Sequence, residues 1–288
     1  MIVALVHLLL GLKSSLGSED RFLRNLKEYT YTLEFQDLFE NLDNWVIDVM
    51  PGISSGNNEI QHYSDSPDNV FLTKIDNQNV LVLRSLERKY GNYNYTSGKV
   101  YSKLPFGPYG FYNIKAKVPK DNCLFPAIWM LPLEERYQYG RSPSCGEMDI
   151  MESICKDKRA FYVAHYGGTY PNNDKSPDFP NNFFQVEINW DYPHYFGVEW
   201  QPEYMKFWLD ARVVNGKVEG IEGARISSEE WYSLTNEGEL RHKGAPFDVP
   251  FNLIMNLAVG GNWANSLNCC TSVPSQAEMH IYQVEVWK

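Results

Sequence analysis

From about Tyr31 onward the sequence alternates short apolar runs with polar turns, and that rhythm restricts the chain to folds built from strands. "NVFLTKI" (69–75) and "NVLVLRS" (79–85) flank Asp76, Asn77 and Gln78, which is the pattern of a hairpin. "FYNIKAKVP" puts Tyr112, Ile114, Ala116 and Val118 on one face at a period of two. "YFGVEWQPEYMKFWLDARVV" (195–214) predicts two strands around a turn at Gln201-Pro202-Glu203, and "FNLIMNLAVGG" and "HIYQVEVWK" supply two late strands. Only "SSEEWYSLT" reads as helical, with Ser227 and Glu230 spaced as a capping box. Residues 169–182 read as a long polar loop and residues 215–247 as a second insertion. Many short strands without a linker predict one all-β domain, a β-sandwich.

The bulk numbers narrow the partner. Aromatic residues make up 15% of the 288, with 19 Tyr, 15 Phe and 8 Trp. Flat rings pack well on pleated sheets, and they also stack on the apolar faces of sugars. The formal net charge is -10, with no cluster of Lys and Arg, so a nucleic acid or other polyanion meets repulsion and a neutral partner fits best. The N-terminus, "MIVALVHLLLGLKSSLGSED", carries an apolar stretch from Ile2 to Leu12 that is too short to span a membrane and suits a signal peptide. The expected organisation is a signal peptide over 1–17, an extension over 18–30 and a single domain over 31–288, in a secreted protein without a membrane span. Cys123, Cys145, Cys155, Cys269 and Cys270 match no zinc spacing. Up to two disulfides with one thiol left over are expected, with Cys269 and Cys270 reaching different partners. Asn94-Tyr95-Thr96 is a glycosylation sequon.

The segment "GEMDIMES" (146–153) sets Glu147, Asp149 and Glu152 among Met148, Ile150 and Met151. Residues two apart on a strand share a face, so Glu147 and Asp149 point together while Glu152 has the wrong parity. A β-bulge that makes Ile150 or Met151 an extra residue restores the match and lines three acids along one surface. Like charges raise one another's pKa, and glycoside hydrolysis needs just such a pair, one carboxylate ionised and a neighbour protonated. A calcium site is the competing reading, but an apolar strand makes a poor cage for a hard cation.

At this motif the chain resembles the glycoside hydrolase family 16 enzymes, in particular their bulged β-1,3-glucanase (laminarinase) branch. "SSGNNEIQHY" (54–63), "YTSGKVYSK" (95–103), "FPAIWMLP" (125–132), "VEWQPEYMKFWLDARVV" and "NLAVGGNW" (256–263) match family segments in the family's order. The resemblance implies a curved jelly-roll sandwich, concanavalin A-like, with an open cleft on its concave sheet. It implies Glu147 as nucleophile, Glu152 as general acid/base and Asp149 as hydrogen-bond partner of the nucleophile. It further implies sugar contacts from Asn57, Phe125, His165 and Trp263, whereas Trp129 reads as a core residue. The chain departs from the family in having Phe125 and Ser142 at two usual Trp positions, and Tyr282 where many relatives place a calcium-binding Asp. Neither a metal nor another cofactor is therefore expected.

The expected activity is retaining endo-hydrolysis of β-1,3-glucan, or of mixed β-1,3-1,4-glucan, by a monomer. The alternative is a non-catalytic β-glucan recognition protein on the same fold. Such relatives lose one or both catalytic glutamates, and both are present here. Transglycosylating relatives carry the shorter, unbulged motif. Galactan-cutting relatives share the bulged one.

Overall fold

Asp76 and Asn77 both adopt positive φ, 50° and 64°, the left-handed pair that a two-residue hairpin turn requires. They join strands paired from Ile75–Gln78 out to Val70–Leu83, so the hairpin read from the sequence is present, with Gln78 already inside its second strand. The same logic of alternation and turn runs through the computed structural model, which describes residues 27–132, 138–168, 174–175 and 188–288. Backbone proximity divides the chain into Met1–Thr30 and Tyr31–Lys288. The expected signal peptide, most of the extension and most of the 169–182 loop lie outside the described residues. Among the described residues no helix is long and apolar enough to cross a membrane.

In chain order the strands begin with β1 (Leu33–Asp37), β2 (Trp45–Ile47), β3 (Gln61–Tyr63), β4 (Val70–Ile75), β5 (Gln78–Tyr90) and β6 (Tyr93–Ser97). They continue with β7 (Lys99–Ser102), β8 (Gly110–Lys117), β9 (Leu124–Leu131), β10 (Glu147–Glu152), β11 (Phe161–Gly167) and β12 (Asp174–Lys175). The last five are β13 (His194–Trp200), β14 (Tyr204–Val214), β15 (Lys217–Ser227), β16 (Asn252–Val259) and β17 (Gln276–Trp287). One sheet runs β15-β14-β13-β8-β17-β5-β6-β3, with β1 beside β17 and β4 beside β5. The other runs β12-β11-β10-β9-β16-β7-β2 and carries the concave face.

The two sheets share one core. Tyr112, Ile114 and Ala116 of β8, together with Val118, are buried as their period-two spacing predicts. They belong to the same cluster as Ile128 and Met130 of β9, Met148 of β10, Tyr162 of β11 and Met255 of β16. Alternation then fixes what the other face of the seven-stranded sheet presents. It carries residues such as Trp129, His165 and Asn256.

Two expectations are corrected. "SSEEWYSLT" is not a helix: Ser227 pairs with Tyr204 at the end of β15, and a turn follows. The capping-box contacts still form, with the Ser227 N–H donating to Glu230 Oε1 at 2.8 Å and the Glu229 N–H to Ser227 Oγ at 3.3 Å. They close a turn because Ser227 is committed to the ladder and Trp231 is drawn into the core. Residues 215–247 are likewise not all insertion, since Lys217–Ser227 pairs along β14. A short helix, α1 (Asn262–Ser266), forms instead after Gly260 and Gly261, both at positive φ. Cys123 bonds Cys270 and Cys155 bonds Cys269, while buried Cys145 stands outside both bridges. The adjacent cysteines thus do reach different partners, and they tie the segment after α1 to the turn before β9 and to the turn that follows the acidic strand β10.

Candidate active site

The acidic strand is bulged where its parity requires it. On the β9 side Asp149 pairs with Trp129, Met151 with Ile128 and Glu152 with Ala127, which leaves Ile150 as the inserted residue. Ala127 and Trp129 are two apart on a regular strand, so Asp149 and Glu152 face the same way. Met148, Ile150 and Met151 are all fully buried in the core. Burying both bulge residues anchors the kink, and the carboxylates are left to the cleft. The strand is entered through Gly146 (φ 81°), where a Cβ would press on Pro246, Phe247 and Phe251.

Glu147, Asp149, Glu152 and His165 line one cleft of about 540 Å³. Asp149 is 2% exposed, and its Oδ2 lies 3.4 Å from His165 Nε2. Loss of hydration pushes the Glu152 carboxyl well above the usual range, and the charges of Asp149 and Glu147 add to this while His165 opposes it. Burial alone would lower the His165 imidazole, but contact with Asp149 and the charges of all three acids outweigh it and raise the pKa to about 10. Donor atoms of Glu147, Asp149 and His165 lie within 4.8 Å of one another, a spacing that suits a cation. The acids around His165 favour its protonated imidazole, so a metal would have to displace that proton to use the ring as a ligand.

The expected sugar contacts divide. Trp263, at the start of α1, lines the cleft and meets Phe125 edge-on at 5.2 Å and Phe161 at 5.0 Å. Phe125 is 9% exposed, so it presents little ring surface and mainly backs Trp263. Asn57 lines the cleft but also builds it: its Oδ1 accepts the Trp263 N–H at 3.2 Å, and its backbone carbonyl accepts the Asn262 N–H at 2.6 Å. Gly261 (φ 99°) is needed there because a Cβ would overlap the Asn57 amide. Ser142 lies at the exposed end, its hydroxyl donating to Glu147 Oε2 at 3.5 Å.

Trp129 corrects the sequence reading. It is half-buried in the cleft wall, not in the core, and its indole N–H donates to Asn256 Oδ1 at 2.7 Å. Glu59, Tyr63, Lys99 and Asn256 also line the cleft and were not singled out from the sequence. A signal existed for some of them. Glu59, Gln61 and Tyr63 stand two apart in "NNEIQHY", and Asn256 interrupts the apolar run "LIMNLAV". Lys99 Nζ reaches Asp48 Oδ2 at 3.1 Å and sits 5.5 Å from the Trp129 ring.

Residues 54–220 match the model of glycosyl hydrolases family 16. The chain is 32% identical over 81% of its length to the glucan endo-1,3-beta-glucosidase A1 of Niallia circulans, of which it spans 33%. It is 33% identical over 53% of its length to a beta-1,3-glucan-binding protein of Penaeus monodon, of which it spans 43%. The chain therefore spans less than half the length of either relative. Its fold superposes on the X-ray structure of the laminarinase from Rhodothermus marinus with a TM-score of 0.70 at 25% identity, covering 91% of this chain and 99% of that one.

Proposed function

The chain belongs to glycosyl hydrolases family 16, and from that premise we propose that it is a retaining endo-glycosidase acting on β-1,3-glucan or mixed β-1,3-1,4-glucan. The observation that carries this reading is the bulge, which sets Asp149 and Glu152 on one face beside Glu147. In the proposed mechanism Glu147 attacks the anomeric carbon while Glu152 gives its proton to the departing glycosidic oxygen. A covalent glycosyl-enzyme forms and one sugar segment leaves. Glu152, now ionised, takes a proton from water, which attacks the same carbon and releases Glu147 with net retention.

The environments support these roles. A carboxyl pushed well above its usual range suits a group that must arrive protonated at neutral pH. Asp149, paired with His165, stands between the two glutamates on the bulged strand and offers them an acceptor. The chemistry needs two carboxylates and water, and no cofactor. Asn57, Phe125, His165 and Trp263 are assigned to the sugar-binding walls, and Trp129 joins them by its position in the cleft. The catalytic domain is assigned to 31–288 of a secreted monomer, a setting that two disulfides favour.

Incubating the purified chain with laminarin and mixed-linkage glucan, and following products by size and by proton NMR of the anomeric centre, tests the proposal. Mid-length oligosaccharides released first as the β anomer are expected. Glu147→Ala and Glu152→Ala should each abolish release. Binding without cleavage would favour the recognition reading that the Penaeus relative suggests, and release as the α anomer would overturn the double displacement.

A further inference from the structure

The cleft holds a fourth carboxylate. Glu59 is 5% exposed, and its segment bridges to Gly260 in front of α1. Gln61 Nε2 donates to its Oε2 at 2.8 Å, the Tyr63 hydroxyl to the same oxygen at 3.2 Å, and Asn57 Nδ2 to Oε1 at 3.5 Å. Three convergent donors are the surroundings of an acceptor-only, ionised carboxylate.

Those donors are the last links of a longer chain. The Trp129 indole N–H donates to Asn256 Oδ1 at 2.7 Å, Asn256 Nδ2 donates to the Tyr63 hydroxyl at 3.0 Å, and Tyr63 donates to Glu59. Every proton points the same way, from the aromatic wall of the cleft to the buried charge, so each bond polarises the next. Burial and the Glu59 charge hold the Tyr63 phenol well above its usual range, which keeps it a donor. Gln61 ties the terminus to the sheet by accepting the Val259 N–H at 2.8 Å. None of these residues belongs to the acidic strand, yet Glu59, Tyr63, Trp129 and Asn256 line the same cleft as its carboxylates.

We infer that Glu59 is a positioning residue of this site: its carboxylate terminates the relay that fixes the Trp129 indole in the cleft wall and places a fourth carboxylate in the cleft that the acidic trio lines. Its catalytic consequence rests on the assignment of Glu152 as the acid. The charged groups facing Glu152 are Asp149 and Glu147 on its own strand, His165 on β11, and Glu59 from the segment before β3, with Lys99 of β7 in the same cleft. Glu59 works in the same direction as Asp149, favouring the protonated form of Glu152.

The test reads protonation directly, without substrate. Infrared difference titration of the protein, with a Glu152→Gln variant subtracted, reports the midpoint of Glu152. Glu59→Gln keeps the shape and removes the charge, and it should lower that midpoint by on the order of half a pH unit. Glu59→Asp keeps the charge and should restore it. A midpoint unmoved in Glu59→Gln overturns the inference, as does one lowered equally in Glu59→Asp. If Glu59→Gln fails to fold, Tyr63→Phe carries the test through the Trp129 indole. Its N–H resonance, assigned with Trp129→Phe, should shift and exchange faster with water, and an unchanged resonance overturns the relay. Absence of reducing sugar from the parent would sink the hydrolase reading alone, because neither readout depends on turnover.

Discussion

His165 Nε2 lies 3.4 Å from Asp149 Oδ2, so the acidic strand carries its compensating charge on the neighbouring strand. The pairing leaves Asp149 as a fixed negative group beside Glu152, where it is the strongest of the charges raising that carboxyl. Asp149→Asn removes it. The Glu152 carboxyl should then fall back toward the ordinary range, and the basic limb of kcat/KM should move to lower pH by about one unit. The turnover at the optimum should also drop, by roughly a hundredfold, as the acid loses its tuned proton affinity. A pH profile on laminarin settles it. An unmoved basic limb would show that Asp149 does not set the acid.

The same shift has a stability cost with a definite sign. The folded Glu152 lies above its ordinary value of 4.5, so its favourable contribution is complete below that value and is lost as the pH climbs toward the folded midpoint. Glu152→Gln does not titrate. The variant should therefore gain on the parent as the pH rises from 4.5 toward that midpoint, by up to about 1.4 kcal/mol per pH unit. His165, raised to about 10, stays protonated in the folded chain over this window, and its titration in the unfolded chain near 6.5 is common to both proteins, so it largely cancels from their difference. Melting temperatures of both proteins across the window give the answer, and a constant difference would contradict it.

The strand alternation made much of the fold legible because its period decides which side chains enter the core. Tyr112, Ile114 and Ala116 needed only their spacing. The bulge was legible for a different reason, since an acid of wrong parity in an apolar run has few other ways out. Trp129 was not, because "FPAIWML" is apolar on both faces and period alone does not say which face meets the cleft. The Glu59 relay draws on β3, β9 and β16, and no local pattern reports such a meeting. Disulfide partners were equally hidden, because pairing is set by where the 123, 155 and 269–270 segments converge.

That convergence makes a prediction. The Cys155–Cys269 bridge links residues 114 apart and ties the chain just beyond α1, which carries Trp263, to the segment just after Glu152. A Cys155→Ala, Cys269→Ala double variant should lose roughly 2–5 kcal/mol of stability. Its KM for long glucan should rise as Trp263 loosens against Phe125 and Phe161, while kcat changes less because the acids remain on β10. Thermal melts and initial rates measure both effects. An unchanged KM in a destabilised variant would mean that the bridge serves stability alone.

Ser142 leaves room at the exposed end of the cleft. Its small side chain stands where family members usually carry Trp, and its hydroxyl reaches Glu147 Oε2 at 3.5 Å. A bond that long to an exposed group contributes little, so its loss should hardly affect the nucleophile. Replacing Ser142 with Trp would instead offer a flat apolar face to a sugar beyond the reacting one. Stacking of that kind adds about 1 kcal/mol, which is roughly a fivefold tighter interaction. KM for long laminarin oligosaccharides should therefore fall by about that factor, with kcat nearly unchanged because the ring would bind ground state and transition state alike. Short oligosaccharides that do not extend to this end should show no gain. Equal improvement for short and long substrates would place the new ring at the reacting sugar itself, and no improvement for either would show that position 142 offers no platform in this cleft.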